Sequence, residues 1–445
     1  MAPIDAQSHD EGNVLKNMKL GLSMRYLGYH LAAWRHPDFD PASITRFEAY
    51  RDIARKAEEA KLDMIFFADG LAVRNEAKPE GSLSHDMRNA DLEPLTLLSA
   101  IAATTSHIGL VATSSTTYNE PYHIARRYAS LDMISHGRAG WNVVTSWSEQ
   151  EALNFNRTEN LPKDERYDRA QEFVEVVCGL WNSFEADAFT HDKKTGQFYD
   201  PTKMHVLDHK GKHFQVRGPL TSGVTPQGRP LIVQAGASDK GRDIAAQYAD
   251  VVYSVAQNID EARAFYSDIK ARAAQQGRKN NAPLIMPALA FYVGETREAA
   301  QAKFDALQAL IDPLAGLAQL YSFAGDLSGY DLDKPIPEDH FTDKISIGSG
   351  LLKQARETGM TIRQLYEQVA AGFTVRYVIG SAEEIVDDMQ HWMETGAADG
   401  FNLCPPILPN SLDDFIEFIL PELRRRGLFR TEYEGKTLRE NLGLT

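Results

Sequence analysis

Short apolar runs rich in Val, Ile and Phe recur along the chain, each followed by an amphipathic stretch. The runs occupy 18–24, 62–69, 108–113, 140–145, 230–235, 251–255, 284–293 and 400–404. They lack the apolar–polar alternation of a sheet with one wet face, so they read as strands covered on both sides. Segments 44–61, 94–105, 122–134, 165–181, 240–248, 259–274, 298–310 and 382–392 carry helical spacing. Eight strands alternating with eight helices predict an α/β fold, a parallel sheet closed into a (β/α)8 TIM barrel.

Three stretches break this rhythm: 71–89, 185–229 and 314–376, each punctuated by Gly, Pro and polar residues. They read as insertions at the C-terminal face of the strands, where barrels of this kind keep their sites. Ornamental loops are the plain alternative. With no repeat, low-complexity tract or linker in sight, 1–445 is expected to be a single domain.

Composition narrows the class. Of 445 residues, 43% are hydrophobic and 24% charged, which fits a globular enzyme and excludes disordered, collagenous and coiled-coil chains. A net charge of −15 leaves no electrostatic footprint for nucleic acid or an anionic membrane. Two cysteines, Cys178 and Cys404, cannot build a disulfide framework, so a cytoplasmic setting is expected. The first 19 residues lack the apolar stretch of a secretory signal, and no apolar run reaches the roughly 18 residues of a membrane helix.

The strand–turn–helix segment 230–242 is the first candidate site. Ser238 is placed to cap the helix, Gly236 and Ala237 keep side chains out of the way, and Gly241 stands where a capping-box acid would sit. The free backbone N–H groups suit a phosphate, or the segment is an ordinary capped turn. Asp69 ends one strand at the expected mouth, and Thr113 ends the next, opening a run of five hydroxyl residues that ends at Thr117. Those hydroxyls suit a polar planar ligand or satisfy turn amides. Residues 24–37 form a loop dense in aromatics and bases, where His30 is the candidate for proton transfer and Arg25 and Arg35 suit a carboxylate or sulfonate. Lys163 and Tyr167 flank the start of a long helix that Asp164 is expected to cap.

His205, His209 and His213 recur every four residues, but Asp208 and Gly211 interrupt them, so no metal is expected. No His-Glu-x-x-His, Gly-x-Ser-x-Gly, Walker or dinucleotide fingerprint occurs, which weighs against zinc protease, α/β-hydrolase, NTPase and Rossmann dehydrogenase.

Several longer motifs, in order, resemble one known family. They are Leu92-Glu-Pro-Leu-Thr-Leu-Leu-Ser-Ala100, Ile108-Gly-Leu-Val-Ala-Thr-Ser-Ser-Thr-Thr-Tyr118, Ser135-His-Gly-Arg138 and Gly140-Trp-Asn-Val-Val-Thr-Ser146. Gln234-Ala-Gly-Ala-Ser-Asp-Lys-Gly-Arg242, Asp399-Gly-Phe-Asn-Leu403 and the tail from Gly427 to Arg439 complete the set. The chain is similar to bacterial luciferase-like flavin monooxygenases, in the nitrilotriacetate, dibenzothiophene-sulfone and long-chain-alkane monooxygenase branch.

That resemblance implies a barrel receiving reduced FMN (FMNH2) from a separate NAD(P)H-dependent flavin reductase. The reduced flavin would form a C4a-hydroperoxide with O2 and oxygenate a small organic substrate. It also implies Asp69, Thr113 and Asn142 near the isoalloxazine, with Tyr167, Ala237 and Ser238 on the ribityl-phosphate. Lys163 stands where the family commonly has His. A homo-oligomer, dimer or tetramer, is expected, as is an insertion lid over 314–376 that keeps water from the flavin. The bond Thr113–Ser114 becomes a candidate non-proline cis peptide, at a cost of about 3 kcal/mol. A deazaflavin-dependent oxidoreductase on the same barrel, or a flavin-binding protein without turnover, is the alternative function.

Overall fold

In the computed structural model, the structure describes residues 17–73, 78–337, 340, 349–373 and 375–444. Most of the N-terminal segment 1–19 lies outside them. The first four strands are β1 (Lys19–Ser23), β2 (Met64–Phe67), β3 (Gly109–Ser115) and β4 (Ala139–Val144). A two-residue antiparallel hairpin follows, β5 (His209–Lys210) and β6 (Gln215–Val216). Then come β7 (Leu231–Gln234), β8 (Val251–Ser254), β9 (Leu284–Gly294), β10 (Arg376–Ser381) and β11 (Gly400–Leu403).

Eight of these close a parallel barrel in the order β1-β2-β3-β4-β7-β8-β9-β11, with β11 returning to β1. They are the eight runs expected from the sequence. The interleaved helices also stand where the amphipathic spacing put them, among them Phe47–Glu59, Pro94–Ala102, Pro121–Ile134, Lys163–Trp181 and Ala382–Glu394. The outer core between strands and helices is apolar and continuous.

The barrel interior holds its own cluster, including Met64, Val111, Leu231, Val251 and Met286 below, with Phe66 and Tyr253 above. The C-terminal tail joins it. Leu438 and Leu442 pack into the same cluster, and Leu438 N–H donates to the carbonyl of Gly137 ahead of β4. A Cβ on Gly109, at the start of β3, would stand 2.4 Å from a Leu438 methyl, so glycine there makes room for the tail. Close by, the buried Asp63 carboxylate accepts from Leu20 N–H at 2.7 Å and pairs with the Arg430 guanidinium.

Four features depart from the sequence reading. A further strand, β10, pairs with the upper half of the 11-residue β9, from Arg376↔Leu289 to Ser381↔Gly294, and widens the mouth on one side. The stretch 185–229 reaches the C-terminal side only along the outside of helix Lys163–Trp181, where Lys212 Nζ comes within 3.9 Å of Asp168. The helix Lys163–Trp181 has already carried the chain back to the opposite end, where Gln227 Nε2 donates to Asp132 and to the carbonyl of Ala139 at the start of β4. Helix Lys163–Trp181 is preceded by Pro162, whose extended backbone sets the N-cap, so Asp164 lies in the first turn. Thr113–Ser114 is trans; the cis bonds among the described residues are Lys78–Pro79, Gly218–Pro219 and Leu408–Pro409.

The third insertion supplies the helices Pro313–Ala324, Ser349–Thr358 and Ile362–Ala370, which pack around a small core of their own that includes Leu320, Leu351 and Ile362. The last of these opens on a capping box between Thr361 and Gln364. Its segments 338–339, 341–348 and residue 374 lie outside the described residues, as does 74–77 of the first insertion.

Candidate active site

Two adjoining hollows, of about 500 and 720 Å³, open at the C-terminal ends of the barrel strands. They share Arg25, Tyr26, Arg88, Val144 and Ala235 as walls. The larger is floored by inward-facing residues at the strand tops, among them Phe66, Asn142, Tyr253, Ala288, Asn402 and Cys404. The smaller runs past Asp69, Ser146, Trp147, Tyr167, Gln234 and Gly236. Ala318, Tyr321, Phe373 and Val375 of the third insertion close them from above.

The polar atoms at this mouth are unevenly satisfied. Thr113 Oγ donates to the carbonyl of Phe67 at 2.7 Å and accepts from Asn142 Nδ2 at 2.8 Å, stitching β2, β3 and β4 together. Thr113 therefore lines neither hollow; it orients Asn142. The Asn142 Oδ1 is buried without a hydrogen-bond partner, and so are Asn402 Oδ1, Ser254 Oγ and Gln234 Oε1, all on residues that wall the hollows. Orphaned buried polar groups are costly, so a cluster of them marks where a polar partner docks. The three missed by sequence reading, Gln234, Ser254 and Asn402, each sit at or near the C-terminal end of an apolar strand. A polar residue there was the available signal.

The other hydroxyls of 114–117 are spent on the fold. Ser115 Oγ accepts from Ser146 Oγ at 2.8 Å, and Thr117 Oγ donates to the carbonyl of Thr145 at 2.7 Å. Ser114 meets the Tyr128 hydroxyl at 3.0 Å.

On the far side of the mouth, Ser238 caps the helix Asp239–Tyr248 and its Oγ accepts from Gly241 N–H at 3.3 Å. A Cβ on Gly241 would lie 3.1 Å from Gly236 Cα, so the two glycines let the turn close against the helix start. Ala237 lines the larger hollow beside it. The start of helix Lys163–Trp181 stands alongside, held by Lys240, whose Nζ meets Asp168 at 2.7 Å and Asp164 at 3.6 Å. Tyr167 faces the smaller hollow, while Lys163 is exposed and lines neither. Two helix N-termini side by side offer the positive ends of both dipoles to an anion.

Asp69 accepts from Gly70 N–H at 2.8 Å, and burial pushes its carboxyl up to about 6, against the pull of Arg25 and that N–H. Burial likewise raises Asp91 to about 6 and the Cys404 thiol to about 12. His30 is placed elsewhere. It is buried outside both hollows, its Nδ1 accepts from Ala32 N–H at 3.1 Å, and its Nε2 meets Gln308 Oε1 at 3.0 Å. Burial lowers its pKa to about 4. Both ring nitrogens are thus engaged within the fold. Arg35 donates to the carbonyl of Leu310 at 2.5 Å and also lies away from the hollows. His205 and His209 pair with different glutamates, Glu185 and Glu172, each at 3.0 Å. No group of three His, Cys, Asp or Glu suited to a metal occurs among the described residues. Among them, too, no helix is long and apolar enough to cross a membrane.

Residues 28–399 match the family model described as luciferase-like monooxygenase. The chain is 46% identical over 434 residues to N-acetyl-S-(2-succino)cysteine monooxygenase of Bacillus subtilis (strain 168), covering 96% of this chain and 97% of that one. It is 44% identical over 443 residues to nitrilotriacetate monooxygenase component A of Aminobacter aminovorans, with the same coverage of both. A crystal structure of a riboflavin lyase with modified FMN and riboflavin superposes with a TM-score of 0.85, at 34% identity and 96% coverage of each chain. The closed barrel, the mouth it presents and these likenesses place the chain in the luciferase-like monooxygenase family.

Proposed function

We propose that this protein is the oxygenase component of a two-component system, using FMNH2 made by a separate NAD(P)H-dependent flavin reductase. The observation that carries the reading is the set of unpartnered buried polar atoms at the barrel mouth, facing a double helix start across it. A flavin ring presents both hydrogen-bond donors and acceptors, and its phosphate is an anion, so the residues fit the group. Asn142 and Asn402 would hold the ring's polar edge. Tyr167, Ala237 and Ser238 would hold the ribityl-phosphate, with Asp69 beside the ring.

Bound reduced FMN supplies the activation of O2. The protein's own work is then to bind, orient and keep dry. Thr113 fixes the Asn142 amide, and Phe66 and Tyr253 give the ring an apolar floor. Tyr321 and Phe373 shield the mouth from above. The printed role of the nitrilotriacetate relative as a component A supports the two-component arrangement. The net charge of −15 and the free Cys178 and Cys404 support a cytoplasmic enzyme without nucleic-acid or membrane partners. The family resemblance supports a homo-oligomer.

The test is anaerobic titration with reduced and oxidised FMN, followed by mixing with O2. Preferential binding of the reduced form, and O2-dependent decay that differs from free FMNH2, are expected. No affinity for FMN in either redox state would overturn the reading and bring the deazaflavin alternative forward.

A further inference from the structure

Seven charged side chains wall the two hollows, and six have a hydrogen-bond partner among the described residues. Arg88 chelates Asp86 through Nε at 2.8 Å, and Arg242 meets Asp268 at 2.8 Å. The four carboxylates each accept from a backbone amide: Asp69 from Gly70, Glu149 from Asn160 and Glu151 from Leu71, all at 2.8 Å, and Glu261 from Gln257 at 3.2 Å.

Arg25 is the exception. Its Nε is shielded from solvent and has no hydrogen-bond partner; the nearby Asp91 oxygen is 3.9 Å away. The guanidinium carbon also stands 4.4 Å from the centre of the Tyr26 ring, and its charge acts on the carboxylates of both Asp69 and Asp91. A guanidinium is a planar fork whose geometry matches a carboxylate. Leaving one of its N–H groups dry and unpaired is unfavourable until such a partner arrives.

Position separates this anion seat from the phosphate cradle. Arg25 follows β1 and Ser238 follows β7, and these strands lie four places apart round an eight-stranded ring, on opposite sides of the mouth. Arg25 borders both hollows, so a group held there reaches whatever occupies the space between the two seats.

We propose that Arg25 receives a carboxylate of the substrate, and that the substrates are small organic carboxylates with an apolar, oxygenable portion. This rests on the flavin reading for the chemistry, but the seat itself is testable without it.

The test compares N-acetylmethionine with its neutral amide by calorimetry, anaerobically, with and without reduced FMN, for the wild type, Arg25→Met and Arg25→Lys. The wild type should bind the carboxylate at least about tenfold better than the amide. Arg25→Met should erase that preference, Arg25→Lys should keep part of it, and affinity for reduced FMN should be alike in all three. Equal binding of acid and amide, no binding of either, or a loss of FMN affinity in Arg25→Met with the preference intact would overturn the proposal. If reduced FMN fails to bind the wild type, the flavin reading falls. The acid–amide preference in flavin-free protein then still decides the seat.

Discussion

Asn142 and Thr113 are cross-strand partners on β4 and β3, and the Asn142 amide nitrogen donates to the Thr113 hydroxyl at 2.8 Å. Because that hydroxyl is itself committed to the Phe67 carbonyl, the Asn142 amide has one orientation. Its carbonyl oxygen is left to the hollow.

Removing that oxygen should cost cofactor more than fold. Asn142→Ala is expected to weaken reduced FMN roughly tenfold, while stability falls by about 1 kcal/mol. Thr113→Val, which frees the amide without deleting it, should weaken FMN about threefold. Fluorescence-quenching titration and urea unfolding check both; unchanged FMN affinity in Asn142→Ala would sink the assignment.

The Ser238 cap has two separable effects. Ser238→Ala should cost about 1 kcal/mol of stability through the lost cap. It should also narrow the preference for FMN over riboflavin, because only FMN carries the phosphate. Titrating each variant with both flavins measures this directly.

Asp69 gives a pH signature. Its folded carboxyl sits at about 6, above the ordinary value of 3.8, so the folded state holds a proton that the unfolded state has released. Its contribution is present below about 4 and is lost as pH rises through 6. Asp69→Asn removes that loss. The variant's stability relative to wild type should therefore climb between about pH 4 and 6 and level off above, as read from urea unfolding across that range. A flat difference would show that the carboxyl titrates normally.

At the other end of the barrel, Arg430→Ala would strand the buried Asp63 carboxylate. Stability should drop by about 3–5 kcal/mol. FMN affinity measured well below the melting temperature should not change, since the pair is remote from the mouth.

The barrel was legible because each strand is covered on both faces, which leaves runs such as Met64-Ile-Phe-Phe67 unmixed. β10 escaped because it borders only the top of β9, and four of its first five residues are half-exposed, so Arg376-Tyr-Val-Ile carries no such run. The Ser238 cap was readable from local capping chemistry. Asn402 and Ser254 were not, because their meaning depends on closure bringing β8 and β11 to one mouth. His30 lies outside both hollows for a reason equally remote from local sequence: its loop folds inward, and the imidazole meets Gln308 from far along the chain.

The tail that packs beneath the barrel has a consequence for synthesis. Met64, Val111 and Leu231 meet Leu438 and Leu442 in one cluster, so the floor is assembled from both extremes of a long polypeptide. A ribosome releases residue 438 only after every strand has emerged. The emerging barrel therefore waits with its underside uncovered and greasy, which makes that interval the one in which a chaperone would be needed.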